Sequence, residues 1–349
     1  FDEFHERSLD ADLALAMARR VRADAREDLR IVATSATLEA EPIARFLGDA
    51  PIVRSEGRLF PVETRFLPRE RATSGARAGG EERLEDHVTR GVRAALEGGD
   101  GDVLVFLAGV GEIRRVGERI ARIGDVDVHE LYGDLPPEKQ DAALRAGPRR
   151  RVVLATNVAE SSVTVEGVRA VVDSGEARIL RHDPGAGLDR LRIERIDRAA
   201  ADQRAGRAGR LAPGLCVRLW SAVDDRTLAP SIDPDVRRLD VSAAVLQLAL
   251  WGESDVAAFP WFEAPRPEAL ERALRLLGDL VALDARGRIT ARGRALARLP
   301  LHPRLGTLAL EGAAGGALYE AATAAAMLSE RDPFRRERRR DGPAPDATE

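Results

Sequence analysis

The pattern of apolar and polar residues divides the chain near residue 222. Ahead of it, short apolar runs of strand type alternate with segments of helical period. The strand-type runs are 29–34, 52–53, 62–67, 102–107, 126–131, 151–155, 168–173 and 215–220. The helical segments among them are 10–26, 39–46, 82–97, 110–122 and 136–146. Strands that alternate with helices in this way predict parallel α/β sheets.

Helical periodicity dominates after residue 222. The helical segments there are 241–252, 267–278, 291–298, 303–312 and 316–329, with a short strand-turn-strand at Val281–Ile289. Helices that enclose a small hairpin predict a winged-helix module, followed here by the start of a helical bundle.

A stretch rich in Gly, Ala and charge at 69–83 is the best candidate for a linker. Together with the changes of pattern described above, this linker divides the chain into four predicted parts. These are the C-terminal part of a first α/β domain (1–68), a second α/β domain (69–222), a winged-helix-like module (223–290) and a helical bundle (291–349).

Composition narrows the class of protein. Hydrophobic residues make up 44% and charged residues 32%, which is typical of soluble globular domains. No apolar run approaches the roughly 18 residues of a membrane span, and the N-terminus lacks a signal-peptide pattern. The single cysteine, Cys216, excludes an intramolecular disulfide framework and a multi-cysteine zinc site, so we expect a cytoplasmic protein without membrane partners. The net charge of −4 means that any nucleic acid must bind in a local basic groove.

Two polar motifs lie in the first α/β part. Asp2-Glu3-Phe4-His5 stands at the C-terminal end of a predicted strand, where open α/β sheets bind ligands. There Asp2 can hold Mg²⁺ while Glu3 polarises a water that attacks a γ-phosphate, although an isolated acidic pair is more often a solvated turn. Ser35-Ala36-Thr37 follows the 29–34 run; its hydroxyls can contact the acidic motif or cap the next helix.

Two further motifs lie in the second α/β part. Thr156-Asn157-Val158-Ala159-Glu160-Ser161-Ser162 follows a predicted strand and carries groups typical of sugar-phosphate contacts. A polar strand-to-helix loop is the alternative. In Gln203-Arg204-Ala205-Gly206-Arg207-Ala208-Gly209-Arg210, the last two arginines share one face if the segment is helical. Paired arginines suit a triphosphate, and the glycines let the backbone approach closely, which a merely solvated face does not need.

The four motifs, in this order over two α/β units, resemble those of superfamily 2 helicases of the DEAH/RHA group. Within that group the sequence resembles the bacterial HrpB-type helicases in particular, and the resemblance extends over essentially the whole chain. The segments that carry it are FDEFHERSLDADLALA, VLVFLAGVGEIRRV, LYGDLPPEKQ, VVLATNVAESSVTVEGVRAVVDSG and QRAGRAGRLAPG. The resemblance implies two RecA-like parallel-sheet domains, the first one partial, and an ATP- and Mg²⁺-dependent helicase that moves along single-stranded RNA or DNA.

The resemblance assigns roles to the first two motifs. Asp2 would coordinate Mg²⁺ with Glu3 beside it, and Glu3 would activate the attacking water. His5 would link the acidic motif to the second domain. Ser35 and Thr37 would couple hydrolysis to movement.

The resemblance also assigns roles in the second domain. Gln203 would position the attacking water, and Arg207 and Arg210 would reach the γ-phosphate, whereas Arg204 would be more structural. The segment Glu176–Arg195 would form a β-hairpin that contacts or wedges the strand. The residues expected along the nucleic-acid backbone are Thr156, Asn157 and Ser161.

One expected motif does not occur among the 349 residues. No G-x-x-x-x-G-K-[ST] is present, and that motif supplies the backbone nest, the lysine and the Mg²⁺-binding hydroxyl of the ATP site. We therefore expect the chain to be truncated at both ends, with the P-loop ahead of Phe1, and inactive as an ATPase by itself.

Two alternatives stay open. In the first, the RecA-like folds survive as a non-catalytic nucleic-acid-binding scaffold, which an in-frame P-loop upstream would exclude. In the second, the parent protein is a DNA-directed translocase, because backbone contacts alone do not distinguish RNA from DNA. The sequence does not indicate a protein partner.

Overall fold

The structure is a computed structural model that describes residues 1–35, 40–55, 60–70, 80–160 and 163–329. Contacts divide the chain into two units. The first comprises Phe1–Ala11 and Met17–Leu239, and the second comprises Asp12–Ala16 and the chain from Asp240. The predictions for Thr37, for Ser161 and for 330–349 lie outside the described residues.

The first unit contains all eight strands assigned in the described part of the chain. They are β1 Val62–Phe66, β2 Asp102–Phe106, β3 Asp127–Leu131, β4 Arg151–Ala155, β5 Val168–Asp173, β6 Glu176–Asp183, β7 Leu188–Arg195 and β8 Gly214–Arg218. Six of them form a sheet in the order β1-β8-β5-β2-β4-β3, and every pair in it is parallel. The predicted parallel α/β sheet is therefore confirmed.

Eight α-helices are assigned in the described residues up to Leu239; five follow the predicted segments closely, and the three after residue 197 were not among those segments. The eight are α1 Leu9–Asp24, α2 Glu41–Phe46, α3 Leu84–Glu97, α4 Val110–Ile120, α5 Pro137–Leu144, α6 Arg198–Gly206, α7 Ala222–Arg226 and α8 Asp235–Arg238. The Ser8 hydroxyl caps α1 by accepting from Ala11 N, and the Asp197 carboxylate caps α6 by accepting from Ala200 N.

Helices cover both faces of the sheet, which explains why its central strands are mainly apolar and do not alternate between apolar and polar residues. Val103 and Val105 of β2 point into a core shared with α3 and α4. Leu104 and Phe106 point into the opposite core, which also holds Ala143 of α5 and Ala205 of α6. The two cores hold the carboxyl ends of the strands, and the motifs that follow them, in fixed positions.

The boundary expected after residue 68 lies one strand too late. Val62–Phe66 does form a strand, but it pairs with β8 over its whole length and so completes the second sheet. A strand pattern predicts the local conformation and not the partner, and β1 finds its partner about 150 residues further along the chain.

Two of the predicted strands are wrong. No strand is assigned at 29–34 or at 52–53, both of which the structure describes. The first segment nevertheless pairs with the N-terminal residues: Phe1 N donates to Val32 O (2.7 Å), Thr34 N to Phe1 O (2.8 Å) and Phe4 N to Thr34 O (2.9 Å). These bonds place the acidic motif directly beside the Ser35 segment.

The predicted β-hairpin is present. β6 and β7 pair antiparallel in register from Glu176↔Arg195 to Asp183↔Leu188. Leu191 and Ile193 lie on one face of the hairpin and are about half exposed. On the other face, Arg190 and Arg192 both approach the Asp183 carboxylate (3.6 and 3.8 Å). The hairpin thus presents both apolar and cationic groups to solvent.

The second unit is helical, as predicted. Its helices are α9 Ser242–Trp251, α10 Pro267–Asp279, α11 Ala291–Leu296, α12 Pro303–Ala314 and α13 Leu318–Ser329. α9 packs on α10 and α12 packs on α13, while a bridge between Leu283 and Ile289 marks the small hairpin. No helix in the described ranges is both long and apolar enough to cross a bilayer.

Candidate functional site

The acidic motif is built around a single 3₁₀ turn, Phe4–Glu6. Phe4 is buried and anchors the turn, while Asp2 is exposed and Glu3 is half-buried. Glu3 and Arg7 flank the turn at positive φ, 48° and 51°. Such backbone costs roughly 1–3 kcal/mol per residue and persists only where neighbouring contacts determine it, so it is often found at functional sites.

Asp2 is held in its ionised form. Its Oδ1 accepts from the Thr34 hydroxyl and from Glu3 N (3.0 Å). The Thr34 hydroxyl, and next the Glu3 amide, lower the pKa of Asp2 from its ordinary value. Sequence reasoning missed Thr34, whose only signal is its position just before Ser35. Ser35 itself is half-buried, and its coupling role stays a prediction.

Glu3, His5 and Gln203 form a chain of side-chain contacts from the acidic motif to α6. His5 Nδ1 lies 3.4 Å from Glu3 Oε2, and His5 Nε2 lies 3.4 Å from Gln203 Nε2. The Gln203 amide nitrogen can only donate, so His5 Nε2 accepts. The other ring nitrogen, Nδ1, then faces the Glu3 carboxylate. The imidazole, with 8% of its side chain exposed, thereby fixes the orientation of the Glu3 carboxylate.

Arg204 is a structural member of the arginine motif. Its guanidinium is 1% exposed and binds Glu160 Oε2 and Asp173 Oδ1, each at 2.9 Å. It also lies over the Phe106 ring, 4.8 Å from the centroid. A side chain so enclosed joins α6 to the ends of β4 and β5 and cannot reach a ligand.

Arg207 and Arg210 occupy different environments. α6 ends at Gly206 and a 3₁₀ turn, Arg207–Gly209, continues from it, so the two arginines lie three residues apart on a 3₁₀ turn and not on an α-helix. Arg207 is buried and donates to Glu160 O and, at 2.6 Å, to Val163 O. Arg210 is exposed.

The two arginines still interact electrostatically. Burial, and then the positive charge of Arg210, lower the pKa of Arg207 to about 10. The carboxylate of Glu3 acts in the opposite direction, so Arg207 lies within electrostatic range of the acidic motif. Arg210 Nη1 donates to the Thr164 hydroxyl at 2.6 Å. Both arginines therefore contact the segment around Glu160, Val163 and Thr164, a contact that the sequence did not predict.

The other predicted polar motif begins where β4 ends. Thr156 is half-buried and its amide donates to Leu131 O (3.2 Å), while Asn157 is exposed at the start of a 3₁₀ turn, Asn157–Ala159. Both residues lie at the carboxyl edge of the sheet, as Asp173 does. The structure thus brings the acidic motif, α6 and the Thr156 loop to one edge, where parallel sheets bind ligands.

Comparison with known proteins adds two family matches. The model described as the helicase conserved C-terminal domain matches residues 84–212, and that of the helicase associated domain (HA2), winged-helix, matches residues 273–301. The first covers four of the six strands of the parallel sheet, β2 to β5, together with the arginine motif. The second covers the small hairpin of the helical unit.

Several characterised proteins are similar along nearly the whole chain. The ATP-dependent RNA helicase HrpB of Escherichia coli (strain K12) is 42% identical over 333 residues, which are 94% of this chain and 40% of HrpB. The ATP-dependent RNA helicase HrpA of the same strain is 36% identical over 96% of this chain and 26% of its own length. The probable ATP-dependent RNA helicase DHX34 of Homo sapiens is 36% identical over 96% of this chain and 30% of its own length.

A solved structure matches equally well. The crystal structure of Escherichia coli DEAH/RHA helicase HrpB superimposes with a TM-score of 0.85 at 40% identity, and the match covers 95% of this chain and 42% of that one. The chain thus spans less than half the length of these relatives.

Proposed function

We propose that this chain, which belongs to the DEAH/RHA family of helicases and is of the HrpB type, carries one side of an ATP site. We propose that it also carries part of the RNA path of an ATP-dependent RNA helicase. The observation that carries the proposal is the Glu3–His5–Gln203 chain. It joins the acidic motif of one part to the helix that precedes the arginines of the next. A contact of this kind would allow ATP hydrolysis at the acidic motif to alter the position of the helix that precedes the arginines.

Asp2 would be a protein ligand of a nucleotide-bound Mg²⁺. The described residues contain no cluster of three or more His, Cys, Asp or Glu side chains suited to hold a metal. Mg²⁺ in phosphoryl-transfer sites is held by one or two carboxylates together with the phosphates themselves. Asp2, exposed and kept ionised by Thr34, would be that protein ligand.

The neighbouring residues have complementary roles. Glu3, oriented by His5, would accept a proton from the attacking water, with Gln203 positioning that water. Arg207 and Arg210 would neutralise the γ-phosphate after leaving the carbonyl oxygens of Glu160 and Val163 and the Thr164 hydroxyl. A phosphate offers those guanidinium groups a full negative charge in place of neutral acceptors, which favours the exchange.

The RNA would run over the Thr156 loop and reach the hairpin. Thr156, Asn157 and Ser161 would contact the sugar-phosphate backbone. The half-exposed Leu191 and Ile193 would contact bases as strands separate. Backbone contacts of this kind bind without base specificity and weaken with salt.

The test uses a chimera in which the P-loop-bearing portion of Escherichia coli HrpB precedes Phe1. Glu3→Gln should lower RNA-stimulated ATP turnover by about 10²- to 10⁴-fold and leave RNA binding unchanged. The matched control is Glu27→Gln, an exposed carboxylate outside the motif, which should behave as the parent. Undiminished turnover in Glu3→Gln would exclude the proposed role.

The same chimera separates the alternatives. Single-stranded RNA should stimulate hydrolysis more than single-stranded DNA of the same sequence, and the reverse order would favour a DNA-directed translocase. RNA binding with no turnover would favour a non-catalytic binding module. We also propose that the 349 residues by themselves bind RNA without turning over ATP, because no G-x-x-x-x-G-K-[ST] occurs among them.

A further inference from the structure

A short helix connects the acidic motif to the β-hairpin. α8, Asp235–Arg238, follows β8 and α7 in the chain and contacts both elements. On one side, Asp235 N donates to Arg7 O (3.2 Å) and Asp235 Oδ2 accepts from Leu9 N (3.3 Å). Leu9 is the first residue of α1 and Arg7 closes the 3₁₀ turn of the acidic motif. Asp235 therefore holds the chain just after the motif in two places.

The other side of α8 holds the hairpin. Arg238, one helical turn from Asp235, donates to Asp235 Oδ1 through Nη2 and to Leu180 O through Nη1 (2.7 Å). Leu180 lies in the middle of β6, opposite Leu191 of β7. The Asp235 and Arg238 side chains are each only 16% exposed, so water competes weakly for these bonds.

The chemistry of the two side chains suits a relay. A carboxylate accepts on both oxygens at once, here from Leu9 N and from Arg238, and a guanidinium fork donates in two directions from a fixed plane. The four bonds form one continuous path from Arg7 and Leu9 to Leu180. Arg7 keeps a left-handed backbone at φ 51°, and its bond from Asp235 is one of the contacts that fix it.

We propose that Asp235 and Arg238 are positioning residues that couple the acidic motif to the β-hairpin. The inference rests on the proposed function, because it assigns the two elements to hydrolysis and to strand separation. A change at the acidic motif during the ATPase cycle would shift Leu9 and Arg7, and α8 would carry that shift to β6. Both residues would act through the elements that they hold.

The first experiment uses the 349-residue chain and amide hydrogen exchange. Asp235→Asn keeps the shape but leaves one acceptor oxygen, so it cannot serve Leu9 N and Arg238 together. Exchange of the β6 and β7 amides should rise roughly threefold or more, as for residues coupled within one network. The control is Asp141→Asn on α5, whose exposed carboxylate forms an ion pair with Arg145. This variant should leave amide exchange in the hairpin unchanged. If Asp235→Asn raises amide exchange only at Leu9 and its neighbours and not in β6 and β7, the proposed coupling is excluded.

The second experiment uses the chimera and measures duplex unwound per ATP hydrolysed. Asp235→Asn and Arg238→Gln should each lower that ratio roughly threefold or more, within the usual range of coupling between sites. RNA-stimulated hydrolysis itself should persist. The double variant should be no worse than either single variant, because both break the same path.

The outcomes separate the two proposals. If the parent chimera neither hydrolyses ATP nor unwinds RNA, the proposed function fails and this inference fails with it. If the parent works and the ratio is unchanged in both variants, only the inference fails. A proportional loss of hydrolysis and unwinding with a lowered Tm would show that α8 is merely structural.

Discussion

Replacing Arg204 by methionine should lower the stability of the first unit sharply. Methionine fills a similar volume but removes the charge that faces Asp173, a carboxylate with no solvent exposure. Asp173 Oδ1 would keep only its bond from Gly175 N (2.9 Å), and Oδ2 already has no hydrogen-bond partner among the described residues. Glu160, 20% exposed at its side chain, can be rehydrated or protonated. The cost therefore falls on Asp173.

The magnitude follows from the loss of one partner in a buried ion pair, about 3–5 kcal/mol. For a unit of this size that corresponds to a Tm roughly 6–20 °C lower. Urea unfolding followed by circular dichroism, with linear extrapolation, measures the free energy. The double variant Arg204→Met with Asp173→Asn removes both charges and should return to within about 1–2 kcal/mol of the parent.

The control for this prediction is Arg210→Gln. Arg210 is exposed, so its replacement should change stability by less than about 0.5 kcal/mol. A loss below about 1 kcal/mol in Arg204→Met, or no recovery in the double variant, would refute the reasoning from burial. The comparison also separates the roles of the two arginines: a loss of activity in Arg204→Met would report on folding, and one in Arg210→Gln on chemistry.

Three further predictions follow from neighbouring residues. Gly209→Ala should cost roughly 1–3 kcal/mol in urea unfolding, since its Cβ would lie 2.5 Å from Phe60 O, whereas Gly206→Ala, with nothing within 4 Å, should be neutral or stabilising by up to about 1 kcal/mol. Burial, and then Asp173, raise the pKa of Cys216 to about 12 from 9.0, so its stabilising contribution is complete below pH 9 and is lost as the pH rises towards 12. The thiol should accordingly resist a disulfide reagent at pH 8 until urea unfolds the chain, and reaction in the folded state would contradict its burial. Asp197→Ala should cost about 1–2 kcal/mol in thermal unfolding, because its carboxylate caps α6 and also accepts from Ile232 N (2.6 Å), and an unchanged Tm would exclude that capping role.

The sequence predicted most elements of the sheet because their patterns are local. The runs at 102–107, 151–155 and 168–173 are mainly apolar, with charged residues chiefly at their ends, and buried parallel strands have that composition. The pairing of β1 with β8 could not be predicted in the same way, because hydrophobic periodicity carries no information about a partner so distant in the chain. The boundary after residue 68 was wrong for that reason.

The candidate site shows the same division. Family resemblance predicted that His5 would link the acidic motif to the second domain, and the structure places it between Glu3 and Gln203. Helical spacing predicted one shared face for Arg207 and Arg210 if the segment were helical, whereas the α-helix ends at Gly206 and a 3₁₀ turn carries the two arginines. The carbonyl oxygens that hold Arg207 belong to the backbone, so no side-chain motif could have revealed them.

The position of β1 has a mechanical consequence for the arginine motif. Phe60 N, at the entry to β1, donates to Gly209 O (2.8 Å), and Pro61 O accepts from Gly214 N (3.0 Å). The polypeptide that arrives from the first part is thus tied to the back of the turn that carries Arg207 and Arg210. Tension along that connection would be applied within one residue of Arg210. A segment expressed from residue 84, where the helicase domain match begins, would lose this tie and leave β8 as an open edge.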